Sequence, residues 1–228
     1  MGSTLRFCIT FAKKISLQLI SDELENFAQA LTTPEDALQS EVNKFTYAQH
    51  TEPHMLSGHL QGKLLEAISW MIRPKKILEI GTFTGYSALC LAKGLTDDGE
   101  LHTIELRQND ADLARSFFDK SATGNKIISY VGNAKEIIPT LSHTWDLVFI
   151  DADKSGYIDY FNLVLPQVKQ NGFILADNIF FHGEALQAEP KGKSAKAVKA
   201  FNEYVVASNA VEKVAITLRD GLYLLRKL

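Results

Sequence analysis

Lys75–Leu95 reads KKILEIGTFTGYSALCLAKGL. Ile77, Leu78 and Ile80 make a short apolar run, too short for a helix and β-branched enough for a buried strand, which stops at a loop held between Gly81 and Gly85. The expected unit is strand, tight turn, helix. Glycines let backbone approach a bound group, and the N–H groups that open the next helix point towards an anion. Tyr86 and Ser87 belong to that first turn. Glu79 puts a carboxylate at the carboxyl end of the strand, where open α/β sheets bind their ligands.

A lone Gly-x-x-x-Gly also occurs at ordinary strand–helix junctions. Its spacing disfavours a dinucleotide, whose fingerprint is Gly-x-Gly-x-x-Gly, because position 83 is Phe83. The loop suits a nucleoside without a pyrophosphate, such as S-adenosylmethionine, with its carboxylate at the helix start and Glu79 facing its positive end. Downstream, Leu101–Ile104 reads as a second strand closed by Glu105, roughly 20 residues past the loop, where an acid accepts both hydroxyls of a ribose. A helix is expected over 108–121 and a third strand over Ile127–Val131. Gly132–Lys135 then falls at the mouth of the sheet beside an adenine.

Two further strands carry the second signal. Trp145–Ile150 runs into Asp151-Ala152-Asp153-Lys154, and Phe173–Ala176 runs into Asp177-Asn178, so neighbouring strands finish in carboxylates on one edge. Carboxylate and amide oxygens without histidine or cysteine are hard ligands, suited to Mg²⁺ or Mn²⁺ with open positions. Aspartates also cap helices at such junctions, which is the alternative. Lys154 lies three residues beyond Asp151; beside a divalent cation its pKa should fall, fitting it for general base.

Upstream, 22–49 reads as two amphipathic helices, the first capped by Asp22 and the second entered through Thr33-Pro34-Glu35-Asp36. His50, His54 and His59 invite a metal reading, but Pro53 breaks the helical spacing of the first pair. Met55, Ser57 and Gly58 suit a pocket wall, and a helix over 62–72 presents Leu64, Leu65, Ile68 and Met71 on one face. Phe180–Lys196 reads as a substrate-facing flap. A helix over 197–206 leads to a hairpin, Val211–Leu218 and Leu222–Arg226, turned by Arg219-Asp220-Gly221, which closes a mostly parallel sheet.

The 228 residues fit a single domain, a helical cap or lid over 1–60 and a Rossmann-like core over 61–228. Lys and Arg number 24 against 27 Asp and Glu, which argues against nucleic acid or an anionic membrane as partner and for a small molecule. Cys8 and Cys90 lie far apart, a reduced, cytoplasmic pattern. Lys13 and Lys14 interrupt the apolar N-terminus, so neither a secretory signal nor a membrane span is expected.

Six separated motifs, MLSGHLQG, LEIGTFTGYSA, TIEL, VGNAKEIIP, FIDADKSGY and LADN, make the chain resemble the cation-dependent O-methyltransferases, the family of catechol and caffeoyl-CoA O-methyltransferases, most closely the small bacterial type, from about Thr33 onward. The resemblance implies a class I methyltransferase fold, a seven-stranded doubly wound α/β sheet. It implies methylation of one hydroxyl of a vicinal diol, aided by Mg²⁺ or another divalent cation such as Mn²⁺ or Ca²⁺, and a homodimer. It carries over Met55, Ser57, Glu79, Gly81, Ser87, Glu105, Ala134 and Asp151 as S-adenosylmethionine contacts. The metal falls to Asp151, Asp177 and Asn178, and catalysis to Lys154 as base together with Asp151. Mammalian catechol enzymes have an aromatic residue before the base lysine; here it is Asp153, as in bacterial and plant members, and Phe181–Lys193 is where members differ most. A non-catalytic nucleoside-binding module or an NAD-dependent oxidoreductase are the alternatives from other classes.

Overall fold

The computed structural model describes residues 20–228, so the readings of Cys8, Lys13 and Lys14 lie outside the described residues. Seven strands form one sheet: β1 Lys76–Ile80, β2 Glu100–Glu105, β3 Ile127–Val131, β4 Trp145–Ile150, β5 Val168–Asp177, β6 Val211–Ile216 and β7 Leu222–Lys227. Their order is β3-β2-β1-β4-β5-β7-β6. The first five run parallel, and β7 lies antiparallel between β5 and β6. This is the expected doubly wound α/β class with its antiparallel hairpin. Strand order reverses at β1, which pairs with both β2 and β4 and so opens the crevice where such sheets bind ligands.

Side chains alternate along the strands between two cores. After helices α1 (Asp22–Leu31) and α2 (Ala37–Gln49) come α3 (Gly58–Ile72), α4 (Tyr86–Ala92) and α5 (Gln108–Phe118), whose Leu65, Leu91 and Phe118 pack with Ile77, Leu147, Phe149 and Leu175. On the other face Leu78, Ile80, Val148, Ile150 and Ile174 pack with Tyr157, Phe161, Phe201 and Val205. Those aromatic groups come from Tyr157–Val164 and Lys193–Ala207; with Ala134–Ile137 before them, these helices are α6, α7 and α8 in chain order. Burial on both faces is why the central strands read as continuous apolar runs rather than alternating ones.

Several helix starts differ from expectation. α1, at Asp22–Leu31, is capped by Ser21, whose hydroxyl accepts the Leu24 N–H, not by Asp22. The next, Ala37–Gln49, starts behind Asp36, which accepts the Gln39 N–H at 2.8 Å while the Gln39 side chain accepts the Asp36 N–H; this reciprocal box displaces Pro34 from the first turn. α3 begins at Gly58, four residues before the expected Gly62, and buries Gln61, Leu65, Ile68 and Ser69 while Met71 is exposed. α5 ends at Phe118. α8 begins at Lys193, shortening the flap, which also holds a 3₁₀ turn at Glu184–Leu186. Among the described residues no helix is long and apolar enough to cross a membrane.

Candidate active site

The carboxyl ends of the parallel strands open into a cavity of about 640 Å³. Its floor depends on Gly81, at φ +99°, whose N–H meets the Ile104 carbonyl at 2.9 Å. A Cβ there would lie 2.0 Å from the Asp151 carbonyl oxygen, so only glycine lets the ends of β1 and β4 close up. Glu105, almost fully buried, holds the glycine loop from the side: one carboxylate oxygen accepts the Thr82 and Phe83 N–H groups at 3.2 and 2.8 Å, the other the Arg107 N–H at 3.0 Å. Met55, Ser57, Gly81, Ser87, Glu105 and Ala134 all line the cavity.

Glu79 does not. Its strand position faces α4, as Ile77 does, and it lies wholly buried beneath the floor. There it accepts hydrogen bonds from Ser87 at 2.6 Å and Thr103 at 2.5 Å, and burial pushes its pKa up to about 8. Glu79 thus lies behind Ser87, which does line the cavity, rather than on the cavity wall that a direct ligand contact would require.

On the opposite wall stand Asp151, Lys154, Asp177 and Asn178. Register pairs Ile150 with Ala176, which brings the two aspartates side by side. Burial, then the neighbouring Asp151 charge, raises the Asp177 pKa to about 7. Lys154 Nζ donates to Asp151 at 2.9 Å and to the Tyr157 hydroxyl at 2.7 Å. Tyr157, absent from the sequence reading as a site residue, is fully buried and lies 3.1 Å from the Asp177 carbonyl. Burial opposes the Lys154 charge, but Tyr157, Asp151 and Asp177 outweigh it, so its pKa rises. The expected fall is that of an ammonium beside a divalent cation; the chain's own charges around it, Asp151 and Asp177, are negative.

The donor set fits a hard divalent cation: two carboxylates held together against their mutual repulsion and an amide one residue on, with no soft ligand. Among the described residues no three His, Cys, Asp or Glu side chains converge on a metal site, so such an ion would need the Asn178 oxygen. Of the histidines that invited a metal reading, His50 lies 3.2 Å from Asp110 and His59 Nε2 is 2.7 Å from the Thr33 carbonyl, while His54 lines the cavity.

The outer end of the cavity is made by Phe181, His182, Ser194, Arg219 and Asp220. Of seven non-glycine residues at positive φ among the described residues, Phe83, Asn178, Phe181, His182 and Arg219 all line this one cavity. Disfavoured backbone of this kind gathers at functional sites. Arg107 and Arg219 escaped sequence reading, since their partners Glu52 and Ser57 are remote in sequence.

Fold and cavity together define an S-adenosylmethionine-dependent methyltransferase of class I architecture. TomG of Streptomyces achromogenes, an O-methyltransferase of tomaymycin synthesis solved in complex with SAM, superposes with a TM-score of 0.83 at 28% identity over 90% of this chain and 96% of its own. The SAH-bound Podospora anserina methyltransferase PaMTH1 gives 0.84 at 25% identity, covering 100% of both chains. A probable caffeoyl-CoA O-methyltransferase of Dictyostelium discoideum is 30% identical over 200 residues, 84% of this chain and 86% of that protein. A catechol O-methyltransferase of Niastella koreensis is 29% identical over 81% of this chain and 84% of its own. The O-methyltransferase family model matches residues 29–228, and the chain belongs to that family. The non-catalytic module and the NAD-dependent oxidoreductase fall away with it.

Proposed function

We propose that this enzyme methylates one hydroxyl of a vicinal diol, of catechol or caffeoyl type, with a divalent cation held by Asp151, Asp177 and Asn178 and with Lys154 as general base. The observation that carries the reading is the pairing of Asp151 with Asp177 at adjacent strand ends, with Lys154 Nζ 2.9 Å from Asp151 on the same cavity wall. A cation bound there would lower a phenol pKa from about 10 towards neutrality. Glu105, already braced by three backbone N–H groups, offers its remaining lone pairs to the ribose hydroxyls. Ser87 and the α4 N-terminus receive the cofactor's amino-acid end, Met55 and Ser57 wall it in, and Ala134 lies by the adenine. A cation drawing on the charges of Asp151 and Asp177 would lower the Lys154 pKa, and the neutral amine so formed would take the proton of the attacking hydroxyl. Opposite charges cancel as phenolate meets sulfonium, so holding the two in line matters more than an oxyanion hole.

A homodimer completes the proposal. Leu24, Phe27 and Leu31 expose one apolar face of the N-terminal helix, which buries none of its residues in the monomer. Methyl transfer from labelled S-adenosylmethionine to 3,4-dihydroxybenzoate and caffeate, with Mg²⁺ or EDTA, tests the reaction. Turnover that EDTA abolishes is expected; turnover untouched by EDTA would remove the metal from the scheme.

A further inference from the structure

Arg219 holds a backbone conformation that glycine adopts far more readily. The turn Leu218–Gly221 closes with the Gly221 N–H on the Leu218 carbonyl at 2.8 Å, and Arg219, its first central residue, has φ +48° while Asp220 has none of the positive-φ character. A positive φ of this kind is disfavoured for any residue with a Cβ and is the ordinary province of glycine. A long cationic side chain held in disfavoured backbone at a cavity wall points to a use for the side chain.

Its hydrogen bonding is half filled. Nη1 donates to the Ser57 carbonyl, a contact spanning 162 residues, and lies 3.4 Å from the Gln61 side-chain oxygen. Nε and Nη2, carrying three N–H bonds between them, have no protein acceptor among the described residues. The other cations of the cavity are matched: Arg107 by Glu52 at 2.7 Å and Asp110 at 2.5 Å, Lys154 by Asp151. Asp177 and Asp220 feel the Arg219 charge but lie beyond ion-pair distance. A half-buried guanidinium, fixed by one nitrogen and open at the other two, has the fork that a carboxylate fills with two parallel hydrogen bonds.

We propose that Arg219 is a carboxylate-binding residue of this cavity, its open N–H fork receiving either the amino-acid carboxylate of the cofactor or an acidic substituent on the acceptor. The proposal rests on the reading of the cavity as the site for S-adenosylmethionine and a diol. It reaches beyond that reading by assigning a residue and a charge requirement that the diol chemistry does not supply.

Arg219→Gly tests it, because glycine suits the turn and keeps the backbone as it is. Arg219→Lys keeps the charge and loses the fork. Dissociation constants are measured by titration calorimetry for ligands with and without a carboxylate-bearing group; 5′-methylthioadenosine also lacks the amino group, but an arginine repels that charge, so a loss confined to S-adenosylhomocysteine reports the carboxylate. The cofactor pair is S-adenosylhomocysteine and 5′-methylthioadenosine; the acceptor pair, with Mg²⁺ present, is 3,4-dihydroxybenzoate and catechol. Weakening of S-adenosylhomocysteine by roughly tenfold to a hundredfold, with methylthioadenosine unchanged, assigns the fork to the cofactor. The same loss confined to dihydroxybenzoate assigns it to the acceptor. In either case Arg219→Lys falls between wild type and glycine. Equal changes for charged and uncharged members of both pairs, or no change, overturn the proposal. Both arms read binding alone, so an absence of methyl transfer in wild type would count against the proposed reaction without deciding Arg219.

Discussion

Glu79→Gln should remove one large pH-dependent contribution to the stability of this protein. Glu79 is wholly buried, and burial pushes its pKa up to about 8 from an ordinary 4.5. An acid whose folded pKa is raised takes up a proton on folding between those two values. Its contribution to stability is full below about pH 4.5 and is lost as pH rises through about 8. The shift corresponds to a loss on the order of 5 kcal/mol across that window, at no more than about 1.4 kcal/mol per pH unit. Glutamine keeps the shape and the accepting oxygen but cannot ionise. Its amide can donate to one of the two hydroxyls, since Thr103 exchanges a 2.5 Å hydrogen bond with Thr82 that is free to reverse. Urea unfolding without cofactor, from pH 5 to pH 9, should give similar stabilities for both proteins at the acid end and a variant several kcal/mol more stable at pH 9. Asp177 and Asp220, also raised in pKa, remain in both proteins and cancel in the difference. Parallel curves would refute the argument, because they would mean that Glu79 folds with its ordinary ionisation.

Gly81→Ala should lower stability by about 2–4 kcal/mol, left-handed strain adding to overlap with the Asp151 carbonyl, and thermal melting would show it together with lost cofactor binding. Lys154→Met should lower kcat by about 10²–10⁴ while leaving S-adenosylhomocysteine affinity near wild type, read by single-turnover rates beside calorimetry. Glu105→Gln removes the charge from the hydrogen bonds of Thr82, Phe83 and Arg107 and should weaken the cofactor by about tenfold or more in the same titration.

The strand ends were legible because a parallel strand buried on both faces is an apolar run, and its first polar residue marks the functional edge. β3 and β4 fall on the residues that such reading assigns, and so do the carboxylates at 151 and 177. Helix starts were less legible, since a cap is a competition among nearby polar side chains: Asp36 with Gln39 outbids Thr33 with Pro34 only once both hydrogen bonds form. α7, Tyr157–Val164, is mostly apolar and was not assigned, so Tyr157 went unnoticed beneath Lys154. The depth of Glu79 follows from its sharing a face with Ile77, a parity that the attraction of a carboxylate at a strand end obscured. The contact of Arg219 with Ser57 left no local trace, because nothing in either neighbourhood specifies a partner so far along the chain.

The place of β7 also sets an order of assembly. β6 is made before β7 yet pairs with β7 alone, so it has no seat in the sheet until the final strand has slid in beside β5. The strands that carry Gly81 and Glu105 need nothing from that hairpin for their pairing, whereas the outer cavity wall, with Arg219 and Asp220, arrives with it. A chain emerging from the ribosome would thus pair the strands leading to Gly81 and Glu105 first and gain the cavity wall that carries Arg219 last, so the pocket would stay open on that side until synthesis is complete.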